Sequence, residues 1–284
     1  MSLEESFVKT NGIRLHVMQA GPKNGKPVVL LHGFPEFWYG WRRQMTALAE
    51  AGFRVIVPDQ RGYNLSDKPK DMKSYSLAEL SADITGLLDA LGHDKAYLAG
   101  HDWGAAVAWT LAIVHPERFH KLAILNVPHP KVMSDTVRRD PRQMLKSWYI
   151  GFFQLPRIPE AALGARNAAG LARLLRASSH ADTFSAADLD EYHRAWSQPG
   201  ALTGMINWYR AMLRYPPRLS RGARVKIPTL MLWGALDVAL ARGMARPSID
   251  YCDDGKLVFF EDATHWVQHD RAADISALLV EFFE

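Results

Sequence analysis

Three residues of the 284-residue chain combine type and position in a way that suggests nucleophilic and acid–base chemistry: Asp102, Asp237 and His265. Asp102 is the centre of Leu98-Ala99-Gly100-His101-Asp102-Trp103-Gly104-Ala105-Ala106, where an apolar strand pattern gives way to a helical one. A turn this sharp lifts its central side chain above a sheet, and small residues two positions to either side, here Gly100 and Gly104, let strand and helix approach closely. A carboxylate at that point needs no base to activate it and forms an ester when it attacks carbon, so a saturated, electrophilic substrate carbon is expected. The helix N-terminus behind it favours the ionised form. The competing reading is an ordinary turn in which Asp102 caps the helix, a place Asp fills well. Asp237, in Gly234-Ala235-Leu236-Asp237, and His265, in Ala263-Thr264-His265-Trp266, each follow a late strand pattern. Singly they carry little, because Asp in a post-strand turn is common.

The elements that must position these residues are legible as short β-rich runs alternating with longer helical patterns, the signature of a parallel α/β sheet. Strands are expected at 7–10, 15–19, 28–32, 54–58, 96–100, 121–126, 228–233 and 256–260, the inner ones continuously apolar because helices cover both faces. Helices are expected from near Trp38, Ser76 and Trp103, and over 270–283. Ser76 with Glu79 has the spacing of a capping box, and Gly92 ends that helix. After Pro128-His129-Pro130 the strand signal stops, and up to Tyr215-Pro216-Pro217 the pattern is helical. The expectation is a core domain of residues 1–130 and 217–284, interrupted by a helical cap domain of residues 131–216.

Composition agrees with a large globular core: 48% hydrophobic, 23% charged, 20 Gly and 16 Pro. The single cysteine, Cys252, excludes an internal disulfide and a thiolate metal cluster. With no secretory pattern at residues 1–12 and no apolar run near the roughly 20 residues a bilayer requires, a soluble, cytoplasmic protein without stable membrane insertion is expected. The net charge of +4 is uneven. Residues 131–224 hold 15 Lys and Arg against 7 Asp and Glu, so the helical insertion is basic and the rest slightly acidic. Its arginines are scattered among Ala and Leu at helical spacing, which argues against nucleic acid and directs the charge to solvent or to an anionic membrane.

His32-Gly33-Phe34-Pro35-Glu36 follows another strand pattern, where the α/β-hydrolase arrangement has an oxyanion hole. The donors would be the backbone N–H groups of Phe34 and Trp103. That arrangement also orders its triad as nucleophile, acid and histidine, which fits Asp102, Asp237 and His265.

With Trp38 and Trp41, Asp59-Gln60-Arg61-Gly62-Tyr63, Gly100-His101-Asp102-Trp103-Gly104 and Ser197-Gln198-Pro199-Gly200-Ala201-Leu202, the chain resembles the epoxide hydrolases of the α/β-hydrolase fold over nearly its whole length. The resemblance implies an α/β-hydrolase core, mostly parallel sheet flanked by helices, with an inserted helical cap. It implies hydrolysis of a small apolar epoxide to a vicinal diol through an ester on Asp102, as in detoxification, with no cofactor and no metal. It also implies two cap tyrosines that hold the epoxide oxygen: Tyr149, four residues before Phe153-Gln154, and Tyr209 in Asn207-Trp208-Tyr209-Arg210. Taken without the resemblance, core packing with a satisfied hydroxyl is the favoured reading of either tyrosine. Glu36 is similar to a family residue that positions water, the alternative being a solvated loop acid. Trp38, Trp148 and Trp208 are expected to line the substrate pocket. The chain departs from the family at Asn64, where a glycine is frequent, and at Ala235 and Leu236, where polar residues are common. A homodimer is one arrangement open to it.

The nearest rival is a haloalkane or haloacid dehalogenase, which shares the aspartate nucleophile; Phe34 stands where haloalkane enzymes have Asn, Trp103 where haloacetate enzymes have Arg, and Trp148 keeps a halide donor available. A non-catalytic binding protein of the same fold is a rival of another class. His265 and His269 have helical spacing but no third ligand, and Gly21 to Lys26 is one residue short of a phosphate loop and is expected to be a turn.

Overall fold

Six strands, the later ones separated by helices, precede about a hundred residues outside the sheet, and two more strands follow. The computed structural model describes residues 3–217 and 223–284. The strands are β1 (Glu4–Thr10), β2 (Ile13–Ala20), β3 (Pro27–Leu31), β4 (Arg54–Pro58), β5 (Ala96–His101), β6 (Phe119–Leu125), β7 (Thr229–Gly234) and β8 (Gly255–Phe260). Their order in the sheet is β1-β2-β4-β3-β5-β6-β7-β8; β1 and β2 are antiparallel to their neighbours and the rest are parallel. The two antiparallel strands form one edge, so the parallel part has its C-terminal ends, and the loops that follow them, on one side.

Successive side chains of a strand point to opposite faces. Val28 and Leu30 therefore join one core with Val55 and Val57, while Val29, Leu31 and Ile56 join the other. The first core is closed by α1 (Arg42–Glu50) and, at the far end of the chain, by α12 (Ala272–Phe283), through Met45, Leu48, Ile275, Leu279 and Phe283. The second is closed by α2 (Leu77–Ala90) and α3 (Trp103–Val114). Near-continuous burial along β3 to β7 is what a sheet covered on both faces demands.

Gly92 ends α2 at a φ of +76°, with the amides of Gly92 and His93 returning to the carbonyls of Asp89 and Leu88. The capping box expected at the other end of α2 does not form. Ser76 occupies the N-cap position, yet its side chain takes no amide, and the Glu79 carboxylate accepts from Asn11 Nδ2 at 3.0 Å instead. The β1–β2 turn, packed over that helix end, outcompetes the local pairing. The last helix is also shorter than expected, since Arg271 (φ −124°, ψ 43°) separates α12 from a short preceding turn of helix. Gly21 to Lys26 is the loop between β2 and β3.

Between β6 and β7 the described residues form helices and one isolated bridge, Val225 to Cys252; the helices are α4 (Pro130–Arg139), α5 (Pro141–Lys146), α6 (Trp148–Phe152), α7 (Ile158–Ala177, interrupted at Ala165 to Ala168), α8 (Ala186–Trp196) and α9 (Ala201–Arg214). A capping box does occur here, between Ser185 and Asp188 at the start of α8. The second core segment was expected to begin at 217; its positions 218–222, like residues 1 and 2, lie outside the described residues. Two short helices, α10 (Ala245–Ile249) and α11 (Val267–Asp270), complete the chain.

Candidate active site

The turn between β5 and α3 is strained in the manner that its glycines suggested. Asp102 has φ 49° and ψ −122°, a conformation that a non-glycine residue holds only where its surroundings impose it. A Cβ on Gly104 would run into the Leu31 carbonyl, so α3 and β3 meet only because that residue is glycine. The helix-capping alternative for Asp102 fails: its side chain makes no bond to its own helix. Instead Oδ1 accepts the Phe34 N–H at 2.7 Å, from the loop after β3, and Oδ2 lies 3.6 Å from His265 Nε2.

His265 follows β8 and Asp237 follows β7, on the same side of the sheet as Asp102. His265 Nδ1 is 2.7 Å from Asp237 Oδ2. Asp237 Oδ1 accepts the amides of Ala239 and Leu240 at 2.7 and 2.9 Å, which fixes the carboxylate from behind. Asn126 completes the group. At the end of β6, with φ 53°, it donates from Nδ2 to Asp237 Oδ2 at 2.8 Å and accepts the Gly234 amide at 2.8 Å. Its position after β6 matches that of Asp237 after β7, and that strand-end location was the available signal.

The electrostatics follow from burial and charge. Burial opposes the protonation of His265, but the Asp237 and Asp102 carboxylates on either side outweigh it and push its pKa up to about 10. Burial likewise raises Asp102 and Asp237, and their contacts with His265 override it and leave both below the usual carboxylate range. Both carboxylates thus favour the protonated form of His265.

Tyr149 on α6 and Tyr209 on α9 meet at 5.9 Å between ring centroids, nearly perpendicular, and both line a cavity of about 750 Å³ together with Asp102 and Trp103. The Trp103 indole, a donor only, bonds the Tyr209 oxygen, and among the described residues neither tyrosine hydroxyl donates to a protein acceptor. Burial, with the charge of Asp102 next, holds both phenols well above their ordinary pKa, so they stay protonated. The two sequence segments that carry them hold each other. The Arg210 guanidinium donates to the carbonyls of Phe153 and Leu155 at 3.0 and 2.7 Å and pairs with Glu160, while Gln154 Nε2 donates to the Tyr209 carbonyl at 3.0 Å.

Glu36 is no solvated loop acid. It is 1% exposed and accepts from Tyr192 on α8 at 2.6 Å, from Gln268 at 3.0 Å and from His269 at 2.7 Å on α11, with His101 Nδ1 at 3.4 Å. His101 in turn holds the His265 carbonyl at 2.8 Å through Nε2. Burial raises the Glu36 carboxyl, and the imidazoles of His269 and His101 override that and hold it well below the usual range. His265 and His269 therefore serve different carboxylates, and among the described residues no group of three or more His, Cys, Asp or Glu could hold a metal ion.

The three tryptophans assigned to the pocket do not line it. Trp208 is fully buried, packs edge-on against Trp103 and Tyr63, and donates to the Arg61 carbonyl at 2.9 Å, which seats α9 on the Arg61-Gly62-Tyr63 turn. Trp148 is 65% exposed and faces outwards beside Phe152, away from any halide position at Asp102. Trp38 borders a separate surface cleft with Glu5 and His16, its amide donating to Asp59. The cavity walls are smaller apolar residues, among them Val127, Pro128, Met133 and Val137. Helix geometry explains the error: Trp148 and Tyr149 are adjacent, so one faces the cavity and the other does not.

Residues 26–272 match the family model of the alpha/beta hydrolase fold. The chain is 47% identical to the AB hydrolase superfamily protein YfhM of Bacillus subtilis, over 98% of this chain and 97% of that one. It is 38% identical to Epoxide hydrolase 4 of Mus musculus, over 98% and 78%. Among solved structures it is similar to the epoxide hydrolase of Bacillus megaterium in complex with an inhibitor, with a TM-score of 0.90 at 28% identity, over 98% and 99% of the two chains.

Proposed function

The chain belongs to the epoxide hydrolase family of the α/β-hydrolase fold, and from that premise we propose that it hydrolyses an epoxide to a vicinal diol through an ester on Asp102. The observation that carries this reading is a carboxylate already hydrogen-bonded at one oxygen, Asp102 Oδ1, in one cavity with two protonated tyrosines whose hydroxyls are free to donate. The epoxide occupies the space between the core, residues 1–130 and 217–284, and a cap, residues 131–216.

Asp102 Oδ2 attacks a ring carbon, the C–O bond opens, and the developing alkoxide takes a proton from Tyr149 or Tyr209. Phenol donors aimed at that oxygen contribute most in the transition state, where the charge is greatest. Esterification removes the charge of Asp102, one of the two carboxylates that raise His265. The imidazole then gives up its proton, the tyrosinate regains one, and neutral His265, oriented by Asp237, takes a proton from a water that attacks the ester carbonyl. The former Oδ1 becomes the oxyanion, held by the amides of Phe34 and Trp103. Collapse breaks the acyl C–Oδ2 bond; the leaving alkoxide takes a proton from His265 and departs as the diol, and the new carboxyl, which keeps the water oxygen, passes its proton to His265 and restores the Asp102 carboxylate. These steps use protein groups and water alone.

A panel of alkyl and aryl epoxides tests the reading, with diol formation followed beside halide release from haloalkanes and haloacetate. Diol without halide is expected. Halide release with no diol would transfer the site to dehalogenation, and tight ligand binding with no product over many hours would favour a non-catalytic binder.

A further inference from the structure

The basic surplus between positions 131 and 224 has no part in the chemistry described above. Four of its fifteen cations gather at one place: Arg138 and Arg139 end α4, and Arg142 and Lys146 belong to α5. Among the described residues the nearby acids are engaged elsewhere: Asp135 pairs with Lys131, Glu160 pairs with Arg210, and Asp140 caps α5 by accepting the Arg142 amide. Among the described residues none of these four cations forms an ion pair with a carboxylate.

Exposed apolar side chains stand among them. Leu145 is 70% exposed and Met144, Trp148, Leu236 and Val238 are each about half exposed or more. Helix α5 and the loop after β7 are fastened together, since Gln143 donates to the Ala239 carbonyl at 2.9 Å, accepts the Ala241 amide at 2.9 Å, and Lys146 Nζ lies 3.4 Å from the Asp237 carbonyl. Met144 and Arg138 also line the cavity that holds Asp102, so the patch is continuous with the cavity's rim.

We propose that this rim docks on an anionic lipid surface. Apolar side chains standing clear of the fold, surrounded by unpaired Arg and Lys, combine the two attractions that an anionic bilayer offers a protein surface: burial in the interface and charge. A second copy of the chain is a poor occupant, because a two-fold contact brings this cluster of four cations towards its own kind. Docked in this way, the cavity opens at the lipid, where apolar molecules concentrate. The proposal does not depend on the epoxide reading, and its test measures no turnover.

The experiment is sedimentation of the full chain with vesicles of phosphatidylcholine alone or mixed with phosphatidylglycerol, at low and high salt. The expected result is binding to the mixed vesicles only, lost at high salt, with emission of Trp148 quenched by brominated lipid and that quenching absent in Trp148→Phe. Leu145→Glu and Arg142→Glu, each shown folded by its melting temperature, should weaken binding by roughly tenfold or more. No binding to the mixed vesicles, or equal binding by the folded variants, would overturn the proposal. So would a dimer in solution that Leu145→Glu dissociates.

Discussion

The Phe34 amide donates to Asp102 Oδ1 at 2.7 Å, while Asp102 Oδ2 faces His265 Nε2 at 3.6 Å. The two oxygens of one carboxylate are thereby distinguished. Oδ1 rests where an oxyanion would be stabilised, and Oδ2 is left to attack and to carry the ester beside the base.

Replacing Asp102 with Asn keeps the shape and removes the charge. The expected outcome is a folded protein whose diol formation falls below roughly 10⁻⁴ of the unmodified rate. Steady-state assay with a melting curve as the folding control checks it.

His265→Gln separates the two halves of the reaction. Alkylation of Asp102 continues, hydrolysis stops, and mass spectrometry should find the protein heavier by the mass of one substrate. Absence of any adduct at times when the unmodified enzyme completes many turnovers would contradict the two-step scheme.

Tyr149→Phe and Tyr209→Phe each remove one donor to the developing alkoxide. A loss of roughly 10²-fold in the rate of ring opening is expected for each, with the melting temperature less affected in Tyr149→Phe than in Tyr209→Phe, which also removes the acceptor of the Trp103 side chain. Rapid-quench measurement of the ester checks it.

The pH dependence follows from His265, whose pKa is raised by its two carboxylates to about 10. A group raised on folding adds stability that is complete below its unfolded pKa, near 6.5, and is lost as pH rises through the folded value. The melting temperature of the unmodified protein should therefore fall between pH 7 and pH 10 by more than that of His265→Gln. In Asp102→Asn, where one carboxylate is gone, the His265 pKa should drop by more than a unit, measured by nuclear magnetic resonance of the imidazole.

Glu36 joins the loop after β3 to α8 and α11, so Glu36→Gln should destabilise by about 1–3 kcal/mol, the usual worth of a hydrogen bond to a charged group. Urea unfolding checks it. Because the carboxyl is held below its ordinary pKa, its contribution is present above about pH 4.5 and lost as pH falls.

Much of this site was legible because its signals are local. The elbow around Asp102 and the strand ends before Asp237 and His265 are short patterns, and the eight strands lie close to the expected runs. What was hidden depends on distant partners. Glu36 meets His269 across 233 residues, and no window of sequence holds both. Asn126 belongs to no motif and carries no charge, and its role shows only in the structure, where it helps hold Asp237. Glu79 matched the capping pattern and went to Asn11, and Trp148 matched a pocket wall while Tyr149, one position on, is the residue that lines it.

The central claim, an ester on Asp102, is tested most directly by a single turnover in water enriched in heavy oxygen, with enzyme in excess over epoxide. The account predicts an unlabelled diol and a heavy oxygen retained in the peptide that contains Asp102. A diol labelled in that first turnover, with Asp102 unlabelled, would mean that water attacks the epoxide directly.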